Sequence, residues 1–375
     1  MFDFFNDLLH DALEALRKFI DELFRLLWLF FVTSPIRGVS RFFEGLQKYF
    51  TVVKPHYYVK GRHLFDGEGN RIILRGINKM SVWDLGPDPT GAVSFPEIKK
   101  TGANSVRIVW RITLDGQPTS LNTLDALIAT ALQNKLLPMI ELHDATGEWN
   151  RLDELANYWS RADVAAVIKK YEKHLLVNVG NEVGDDAVDS AQFIAGYASA
   201  VKKMRMAGIR TPIVIDAPEW GKALTVLNDS AHQLLNADPD KNLVFSVHPY
   251  WFKNKGQSGA FITSAFATAV GKNYPLIVGE LCAWGADDNS TPSTKCQAGA
   301  GEVDYQTILQ ACQTHELGWY AWEWGPGNSY GGPGCDKMDM TPDRLFANLI
   351  DGWAKEVAIT SPWSIANTSV AIPTL

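Results

Sequence analysis

Apolar residues in the first fifty positions recur with the period of a helix. The steps alternate between three and four residues, which is the spacing of a coiled-coil seam. The seam runs through Phe2, Phe5, Leu9, Ala12, Leu16, Phe19, Leu23, Leu26 and Phe30. Oppositely charged residues four positions apart, such as Glu14 and Lys18, lie on the outer face. The pattern therefore predicts an amphipathic helical extension over residues 1–50.

An apolar stripe of this width has to be covered by other apolar surface. The cover is either a second copy of the chain, the chain's own body or a membrane surface. Residues 1–31 carry more acidic than basic side chains, which disfavours anionic lipid. We therefore favour a homo-oligomer that associates through residues 1–50, and contact with a membrane surface is the least favoured of the three.

The sequence shows no pattern of a membrane span or of a secretory signal. The longest uncharged apolar run covers residues 26–36, whereas a spanning helix needs about 20 residues. A secretory signal begins with a basic region, but the first basic residue here is Arg17, and acidic residues precede it. Neither kind of segment is therefore expected.

From residue 51 onward, short apolar runs alternate with amphipathic helical stretches. The runs cover residues 72–78, 105–110, 137–144, 175–182, 212–218, 243–250, 275–281 and 318–324. Because they are continuously apolar, they predict strands buried on both faces, as in a parallel sheet. Eight strand–helix repeats favour a (β/α)8 barrel over residues 51–375. A doubly wound open sheet is the alternative, but no glycine-rich phosphate-binding motif follows the first strand.

Two further segments complete the predicted architecture. Residues 57–70, YYVKGRHLFDGEGN, have the turns of a small hairpin, and in such a barrel this hairpin is expected to plug the bottom. The stretches 120–135 and 189–208 are amphipathic and are expected to form two of the outer helices.

Every predicted strand carries residues with functional side chains within it or at its carboxyl end, the end where barrels of this type carry their chemistry. They are Asn78, Arg107, His143, Asp144, Asn181, Glu182, Asp216, His248, Tyr250, Glu280, Trp322 and Glu323. Any one of them alone is more simply explained as a structural residue. Their common placement at one rim predicts a functional site there.

Tryptophan is abundant, with thirteen residues, and most of it falls beside the same rim. Eight lie in or just beyond the strand ends: Trp83, Trp110, Trp149, Trp220, Trp251, Trp284, Trp322 and Trp324. Flat aromatic rings offer a large contact area to the apolar C–H faces of sugars. The distribution therefore indicates a carbohydrate cleft, while Trp159, Trp319 and Trp353 are expected in the core.

Charge and cysteine content limit the partners and the compartment. With 35 basic and 42 acidic residues the net charge is −7, which argues against nucleic acid as a partner. Four cysteines in the last third, without a C-x-x-C pair, favour disulfides in an exported protein over a zinc site. A secreted or cell-envelope location is therefore expected. Cys312 lies on a helix that leads away from the rim and is expected to be unpaired, and Cys296–Cys335 is the favoured bridge, with Cys282 free.

Six motifs resemble signature positions of glycoside hydrolase family 5, clan A, in order over residues 57–357. They are VRIVW, ELHDATG, NVGNEVG, SVHPYW, VGELCAW and WYAWEWG. The resemblance implies retaining hydrolysis of β-1,4-linked glucans or mannans without metal or cofactor. It implies that Glu182 is the acid/base and Glu280 the nucleophile. The residues expected to bind substrate are Asn181, which would contact the sugar 2-hydroxyl, and Arg107, His143, His248, Tyr250, Trp322, Asn78, Trp83, Trp110 and Trp284. Residues 1–50 have no counterpart in the family core.

The motifs leave the polymer open. GNEVGDD, GELCAWGA and AWEWGPGN favour β-1,4-glucan of the cellulose or mixed-linkage type. TGANSVRIV, HDATG and NYW resemble bacterial β-mannanases, which makes mannan the alternative substrate. A carbohydrate-binding barrel without activity is a third hypothesis, which the presence of both Glu182 and Glu280 opposes.

Overall fold

The computed structural model describes residues 17–25, 54–286, 301–328 and 334–375. The chain forms two compact units, Met1–Val52 and Val53–Leu375. In the first unit, residues 17–25 are helical, and the seam residues Phe19 and Leu23 are 65% and 44% exposed. The other seam positions lie outside the described residues, and self-association through residues 1–50 stays a prediction.

Eight parallel strands of the second unit close into a barrel in which each strand pairs with its neighbours in chain order. The strands are β1 Arg75–Lys79, β2 Ser105–Trp110, β3 Leu137–Leu142, β4 Leu176–Asn178, β5 Ile213–Asp216, β6 Leu243–Val247, β7 Leu276–Leu281 and β8 Gly318–Ala321. The main helices are α1 Ser94–Lys99, α2 Leu121–Gln133, α3 Leu152–Ser160, α4 Ala162–Lys170, α5 Ser190–Met206, α6 Leu224–Ala237, α7 Ala260–Gly271 and α8 Tyr305–Thr314. The predicted (β/α)8 barrel is thus confirmed.

Short helical turns and a two-stranded ribbon lie between the main strands and helices and after the last strand. Single helical turns of the 3₁₀ type lie at Ser81–Trp83, Trp149–Arg151, Glu172–His174, Lys253–Lys255, Cys335–Met338 and Phe346–Asn348. The chain ends with α9 Trp353–Lys355, a π-helical turn at Glu356–Thr360 and α10 Ile365–Thr368. A two-stranded ribbon, Thr113–Leu114 with Gln117–Pro118, follows β2.

Capping groups in the sequence mark where two of the longer helices, α2 and α5, begin. The Ser120 side chain accepts a hydrogen bond from the Thr123 amide ahead of α2. Asp189 and Gln192 form a reciprocal capping box at the start of α5. These bonds satisfy backbone amides that the first turn leaves without partners. The observed helices lie within the two amphipathic stretches that the sequence predicted.

The interior of the barrel is apolar in its lower half. Strand side chains alternate between the lumen and the helix layer. The lower lumen is filled by Leu74, Leu137, Met139, Leu176, Val214, Val244, Ile277 and Tyr320. Two residues further along several of these strands the lumen becomes polar, for example Glu141 after Met139 and Asp216 after Val214. The polar layer at the top is the floor of the candidate site.

A small antiparallel sheet closes the bottom of the barrel, as the sequence predicted. Its strands are Tyr58–Lys60, His63–Phe65 and Arg71–Ile72. Tyr57, Leu64 and Ile72 pack against the lower lumen residues. The Asn242 side chain, just before β6, accepts from the Val59 amide at 3.1 Å and donates to the Tyr57 carbonyl at 3.1 Å.

Several strands end earlier than the apolar runs suggested. β4 ends at Asn178 rather than at Glu182, β3 at Leu142 rather than at Asp144, and β8 at Ala321. The apolar pattern continues because the first loop residues are also buried. The expectation that Glu182 stands on a strand is therefore wrong, and other contacts hold it.

The cysteines follow the sequence-based assignment where the structure describes them. Cys282 and Cys312 are free and buried, and Cys335 is disulfide-bonded. Its predicted partner, Cys296, lies outside the described residues. Within the described ranges, no helix combines the length and the apolar character needed to cross a bilayer.

The two buried thiols lead to a chemical-labelling prediction. Burial raises the pKa of both thiols, and only the thiolate reacts readily. We expect iodoacetamide to leave Cys282 and Cys312 unmodified in the native protein and to alkylate both in guanidinium chloride. Peptide mass spectrometry reads out each site, and native alkylation of either thiol would contradict the described packing.

Candidate active site

Glu182 lies in the loop after β4 and is held there by its backbone. Its carbonyl accepts from the Gly147 amide at 2.9 Å, and its own amide donates to Asp216 Oδ2 at 3.2 Å. The preceding Asn181 amide donates to the Leu142 carbonyl at 2.8 Å. Glu182 has a φ of 49°, a left-handed conformation that is costly for a side chain of this type. The neighbouring loops thus impose a strained backbone that aims the carboxyl into the cleft.

Glu280 stands on β7 and points into the lumen because of an irregularity in that strand. Ile277 already faces the lumen, so simple alternation would direct Gly279 inward. The register of β7 against β8 shifts between Val278 and Leu281, and such a bulge re-aims the side chain that follows. Gly279 has to be glycine, because a Cβ there would lie 2.5 Å from His248 Nε2.

One buried guanidinium connects the polar layer. Arg107, on β2, has no exposed surface. Its Nη1 donates to Glu280 Oε1 at 3.0 Å and its Nη2 to Asn181 Oδ1 at 2.8 Å. Its other hydrogen-bond acceptors are Asn78 at 3.0 Å, Asn178 at 2.9 Å and Asp216 at 3.3 Å. The same side chain therefore positions both the Glu280 carboxyl and the Asn181 amide.

The two glutamates have different electrostatic surroundings. Burial raises the pKa of Glu280 to about 6, and Arg107 and the Tyr250 hydroxyl, which donates to Glu280 Oε2 at 2.7 Å, hold that pKa down. Burial also raises the pKa of Glu182 well above its usual value, and the charges of Glu280 and Asp216 raise it further. The arrangement thus favours an ionised Glu280 beside a protonated Glu182.

His248 is a buried neighbour of the Glu182 carboxyl. Burial lowers the pKa of His248 well below its usual value, and the Arg107 guanidinium lowers it further, so that the ring is neutral. Its Nδ1 lies 2.8 Å from Glu182 Oε1, and its Nε2 lies 3.6 Å from Asp216 Oδ2. A neutral imidazole can donate to or accept from a carboxyl oxygen, so it suits Glu182 in both protonation states.

Three donors converge closely enough to be considered as a metal site. One atom each of Glu182, His248 and Glu280 lie within 4.8 Å of one another. Both oxygens of Glu280 already accept hydrogen bonds, and the Arg107 cation is 3.0 Å from one of them. A cation placed there would be repelled by that guanidinium, so the residues fit an acid–nucleophile pair better than a metal centre.

Aromatic rings form one side of the cleft around His143. The Trp322 ring stacks on His143 with centroids 5.9 Å apart, and the Trp83 ring meets His143 edge-on at 5.5 Å. His143 Nδ1 lies 2.9 Å from Glu141 Oε1, and its Nε2 faces the Asn181 amide at 3.4 Å. Trp83 and His143 are partly exposed, while Trp322 is 6% exposed.

Several residues expected to bind substrate do not reach an open surface. Trp110 is fully buried in the helix layer, because it lies three residues after the inward Arg107 and has the opposite strand parity. The expectation that Trp110 contacts sugar is therefore wrong. Asn78, Arg107 and His248 have no exposed surface either, and their hydrogen-bond partners show that they position the carboxyls instead.

Other tryptophans assigned to the rim also belong to the packing. Trp324 and Trp251 are buried, and Trp251 packs against Phe261 and Phe266. Trp149 packs against Phe193 and Tyr197 of α5. Trp284 is partly exposed, with Lys337 Nζ 5.5 Å from its ring. The excess of tryptophan thus stabilises the top of the barrel as well as the cleft.

Glu141 and Asn178 also belong to the site, although the sequence analysis did not single them out. Both are fully buried and face each other across β3 and β4. Their signal in the sequence is a polar residue inside an otherwise apolar strand at the lumen-facing parity. Applied to each strand, that parity rule would have found both residues and would have excluded Trp110.

Comparisons with known proteins agree with this geometry. Residues 65–328 match the family model described as cellulase (glycosyl hydrolase family 5). A mannan endo-1,4-beta-mannosidase from Salipaludibacillus agaradhaerens is 30% identical over 303 residues, which cover 80% of this chain and 90% of that protein. The mannanase catalytic domain from Streptomyces sp. SirexAA-E superposes with a TM-score of 0.72 at 27% identity, over 87% and 96% of the two chains. The Thermomonospora fusca β-mannanase in complex with mannotriose superposes with a TM-score of 0.70 at 28% identity, and the match covers 84% of this chain and 98% of that chain.

The Tyr250 hydroxyl leads to a prediction about pH dependence. Its hydrogen bond stabilises ionised Glu280, and a bond to a charged group contributes about 1.5–3 kcal/mol, or roughly one to two pKa units. In Tyr250→Phe the pKa of Glu280 should rise, so the acidic limb of the pH–rate profile should move from near pH 6 to higher pH. If Glu182 sets the alkaline limb, that limb should move much less.

The measurement is kcat/KM between pH 4 and pH 10 for the wild type and the variant. Because the two carboxyls titrate as a coupled pair, the limbs are compared as apparent values. An acidic limb that stays in place or moves to lower pH would show that Tyr250 does not stabilise the ionised form of Glu280.

Proposed function

The chain belongs to glycosyl hydrolase family 5, and we propose that it is a retaining endo-β-1,4-mannanase. Membership makes it a glycoside hydrolase. The paired carboxyls, Glu182 and Glu280, carry the proposed mechanism. The choice of mannan as the polymer rests on relatives that are named as mannan-degrading enzymes. This chain matches them over most of their length. This reverses the preference for β-glucan that the loop motifs suggested.

The separation of the carboxyls supports retention of configuration. Retaining enzymes hold the two groups about 5–5.5 Å apart, and inverting enzymes hold them about 6.5–9.5 Å apart to admit a water. An oxygen of Glu182 lies within 4.8 Å of one of Glu280. The short distance favours direct attack by Glu280 on the anomeric carbon.

In the first step Glu280 forms a bond to the anomeric carbon as the glycosidic bond breaks. Glu182 gives its proton to the leaving oxygen, which its raised pKa allows at neutral pH. Arg107 and Tyr250 hold Glu280 ionised and oriented until attack. Asn181, fixed by Arg107 and by Thr146 at 3.0 Å, is positioned to contact the sugar hydroxyl next to the reacting carbon.

The second step follows from the loss of charge on Glu280. Once Glu280 is esterified, the negative charge that raised the pKa of Glu182 disappears. Glu182 then ionises more readily and takes a proton from the attacking water, and the sugar leaves with its original configuration. His248 suits both states of Glu182, as its neutral ring requires no change of charge.

The segment after β5, beside Glu182, is the proposed place for the leaving part of the polymer. Gly221 and His248 flank Glu182 there, and the adjacent Trp220 is 41% exposed. A cavity of about 600 Å³ opens next to this segment, lined in part by Glu219, Lys222 and Tyr250. We propose that sugars beyond the scissile bond occupy this cavity during endo cleavage.

The disulfide at Cys335 supports action in an oxidising compartment. We therefore propose a secreted or cell-envelope enzyme, in keeping with a polymeric substrate.

The polymer is tested with a panel of substrates. Reducing-sugar release is measured in parallel on galactomannan, glucomannan, lichenan and carboxymethylcellulose at equal mass concentration. We expect the highest kcat/KM on the mannans and short manno-oligosaccharides as products. Higher activity on lichenan or carboxymethylcellulose would return the assignment to β-glucan, and no release from any polymer would favour a binding barrel.

The roles of the two glutamates are tested by substitution. Glu182→Ala should slow hydrolysis of polymer by roughly 10²–10⁴-fold, because the leaving group is no longer protonated. An aryl mannoside with a good leaving group should still react in the first step, and azide should then release a β-mannosyl azide. Glu280→Gln should abolish turnover of both substrates but retain oligosaccharide binding. Near-normal polymer hydrolysis by Glu182→Ala would disprove the assignment.

A further inference from the structure

Two buried acids beneath the aromatic side of the cleft have no part in the mechanism described above. Glu323 is fully buried and Asp339 is 4% exposed. We propose that Glu323 and Asp339 are positioning residues that fix the spacing of Trp322 and Trp83 on either side of His143. The proposal rests on the proposed function only in that this cleft binds a sugar chain.

Asp339 controls Trp322 through one intermediate side chain. The Trp322 indole Nε1 donates to Asn328 Oδ1 at 2.8 Å. Asn328 in turn donates to Asp339 Oδ1 from its side-chain amide at 2.6 Å and from its backbone amide at 3.1 Å. Asn328 therefore has its rotamer set by Asp339, and the carbonyl oxygen that it offers to the indole has a fixed direction.

Glu323 controls Trp83 through the backbone. Its Oε2 accepts from the Met80 amide at 2.7 Å. The Met80 carbonyl then accepts from the Trp83 amide at 3.2 Å and closes the helical turn Ser81–Trp83. The carboxyl of Glu323 thus anchors the start of the turn that carries the Trp83 ring to His143.

The two acids are also tied to each other. The Glu323 amide donates to the Met338 carbonyl at 3.1 Å, and the Met340 amide donates to the Glu323 carbonyl at 2.9 Å. The backbone of Glu323 is thus bonded to the residues on both sides of Asp339. The side chains of Glu323 and Asp339 converge on Gly327, whose amide donates to Asp339 Oδ2 at 3.3 Å. A Cβ at Gly327 would lie 2.3 Å from Glu323 Oε1. A displacement of either acid is therefore passed to the other.

The charges around the pair indicate which substitution preserves it. Burial raises the pKa of Glu323 to about 8, Lys79 lowers it, and Asp339 and Asp84 raise it. Lys79 is paired with Asp84 at 2.8 Å, and Arg344 also donates to Asp84. Glu323 is thus mostly neutral at pH 6–7, and glutamine is its closest substitute in shape and in its ability to accept from Met80. Leucine fills the same space but removes the acceptor.

The experiment compares Glu323→Leu, Asn328→Ala and Asp339→Ala with Glu323→Gln. A matched control is Asp238→Ala, which breaks a buried ion pair with Arg205 at 2.9 Å far from the cleft. Kinetics are measured on the polymer that the wild type cleaves best, and folded protein is quantified by circular dichroism. Independently of substrate, 5-fluorotryptophan is incorporated and the ¹⁹F resonance of Trp322 is assigned with Trp322→Phe.

We expect the three disruptive variants to raise KM roughly 3- to 10-fold, because one hydrogen bond that orients a binding ring is lost. The kcat should change less, since the contacts of Glu182 and Glu280 are untouched. The Trp322 resonance should shift or broaden in Asn328→Ala and Asp339→Ala. Glu323→Gln should retain most of the wild-type KM, and Asp238→Ala should lower stability while its KM and the resonance stay as in the wild type.

The proposal is overturned if the disruptive variants lose only stability, as Asp238→Ala does, and keep the wild-type KM and Trp322 resonance. It is also overturned if Glu323→Gln is as impaired as Glu323→Leu. Should Asn328→Ala fail to fold, Asn328→Ser keeps the site small and polar and serves the same comparison. Failure of the mannan assignment leaves the ¹⁹F result intact, so the two proposals fail separately.

Discussion

The active site depends on one cation, the guanidinium of Arg107, buried among carboxyls. Glu141, Glu182, Asp216 and Glu280 all act on its pKa. Burial alone would lower that pKa, but the carboxylates raise it above its usual value. A single positive charge cannot stabilise four negative charges in a medium of low polarity. Some of the carboxyls must therefore stay protonated, and the contacts decide which ones do.

The two glutamates differ in their contact with that guanidinium, and this difference separates their pKa values. Glu280 accepts directly from Arg107 and from Tyr250, so its ionised form is the more stable one. The Glu182 carboxyl forms a hydrogen bond with the neutral ring of His248. Burial and the negative charge of Glu280 both raise the pKa of Glu182. In the proposed mechanism, the acid and the nucleophile are thus the same chemical group in two different surroundings, which is the general way that one fold performs acid and base chemistry together.

Local backbone irregularities convert a regular barrel into this site. Simple alternation along β7 would turn Glu280 away from the lumen, because Gly279 faces inward against His248, and the register shift brings Glu280 inward as well. An unstrained loop after β4 would not hold Glu182 at a positive φ. Such departures cost stability and persist where the surrounding structure enforces them. Here the enforcement comes from the packed lower lumen and from backbone bonds between neighbouring loops, such as those that hold Glu182 to Gly147.

The sequence by itself determined the barrel and singled out the two carboxyls as candidates, because both are encoded locally. Burial on two faces produces continuous apolar runs, and the motifs around Glu182 and Glu280 are contiguous. Tertiary structure alone decided the rest. The parity that hides Trp110, the bulge at β7 and the pairing of Asp339 with Asn328 under Trp322 depend on which distant strands and loops meet when the barrel closes. The raised pKa of Glu182 likewise requires Glu280, nearly a hundred residues away, to be brought beside it out of water. Sequence periodicity reports how each segment is buried, whereas ionisation and ring position are set by contacts between segments.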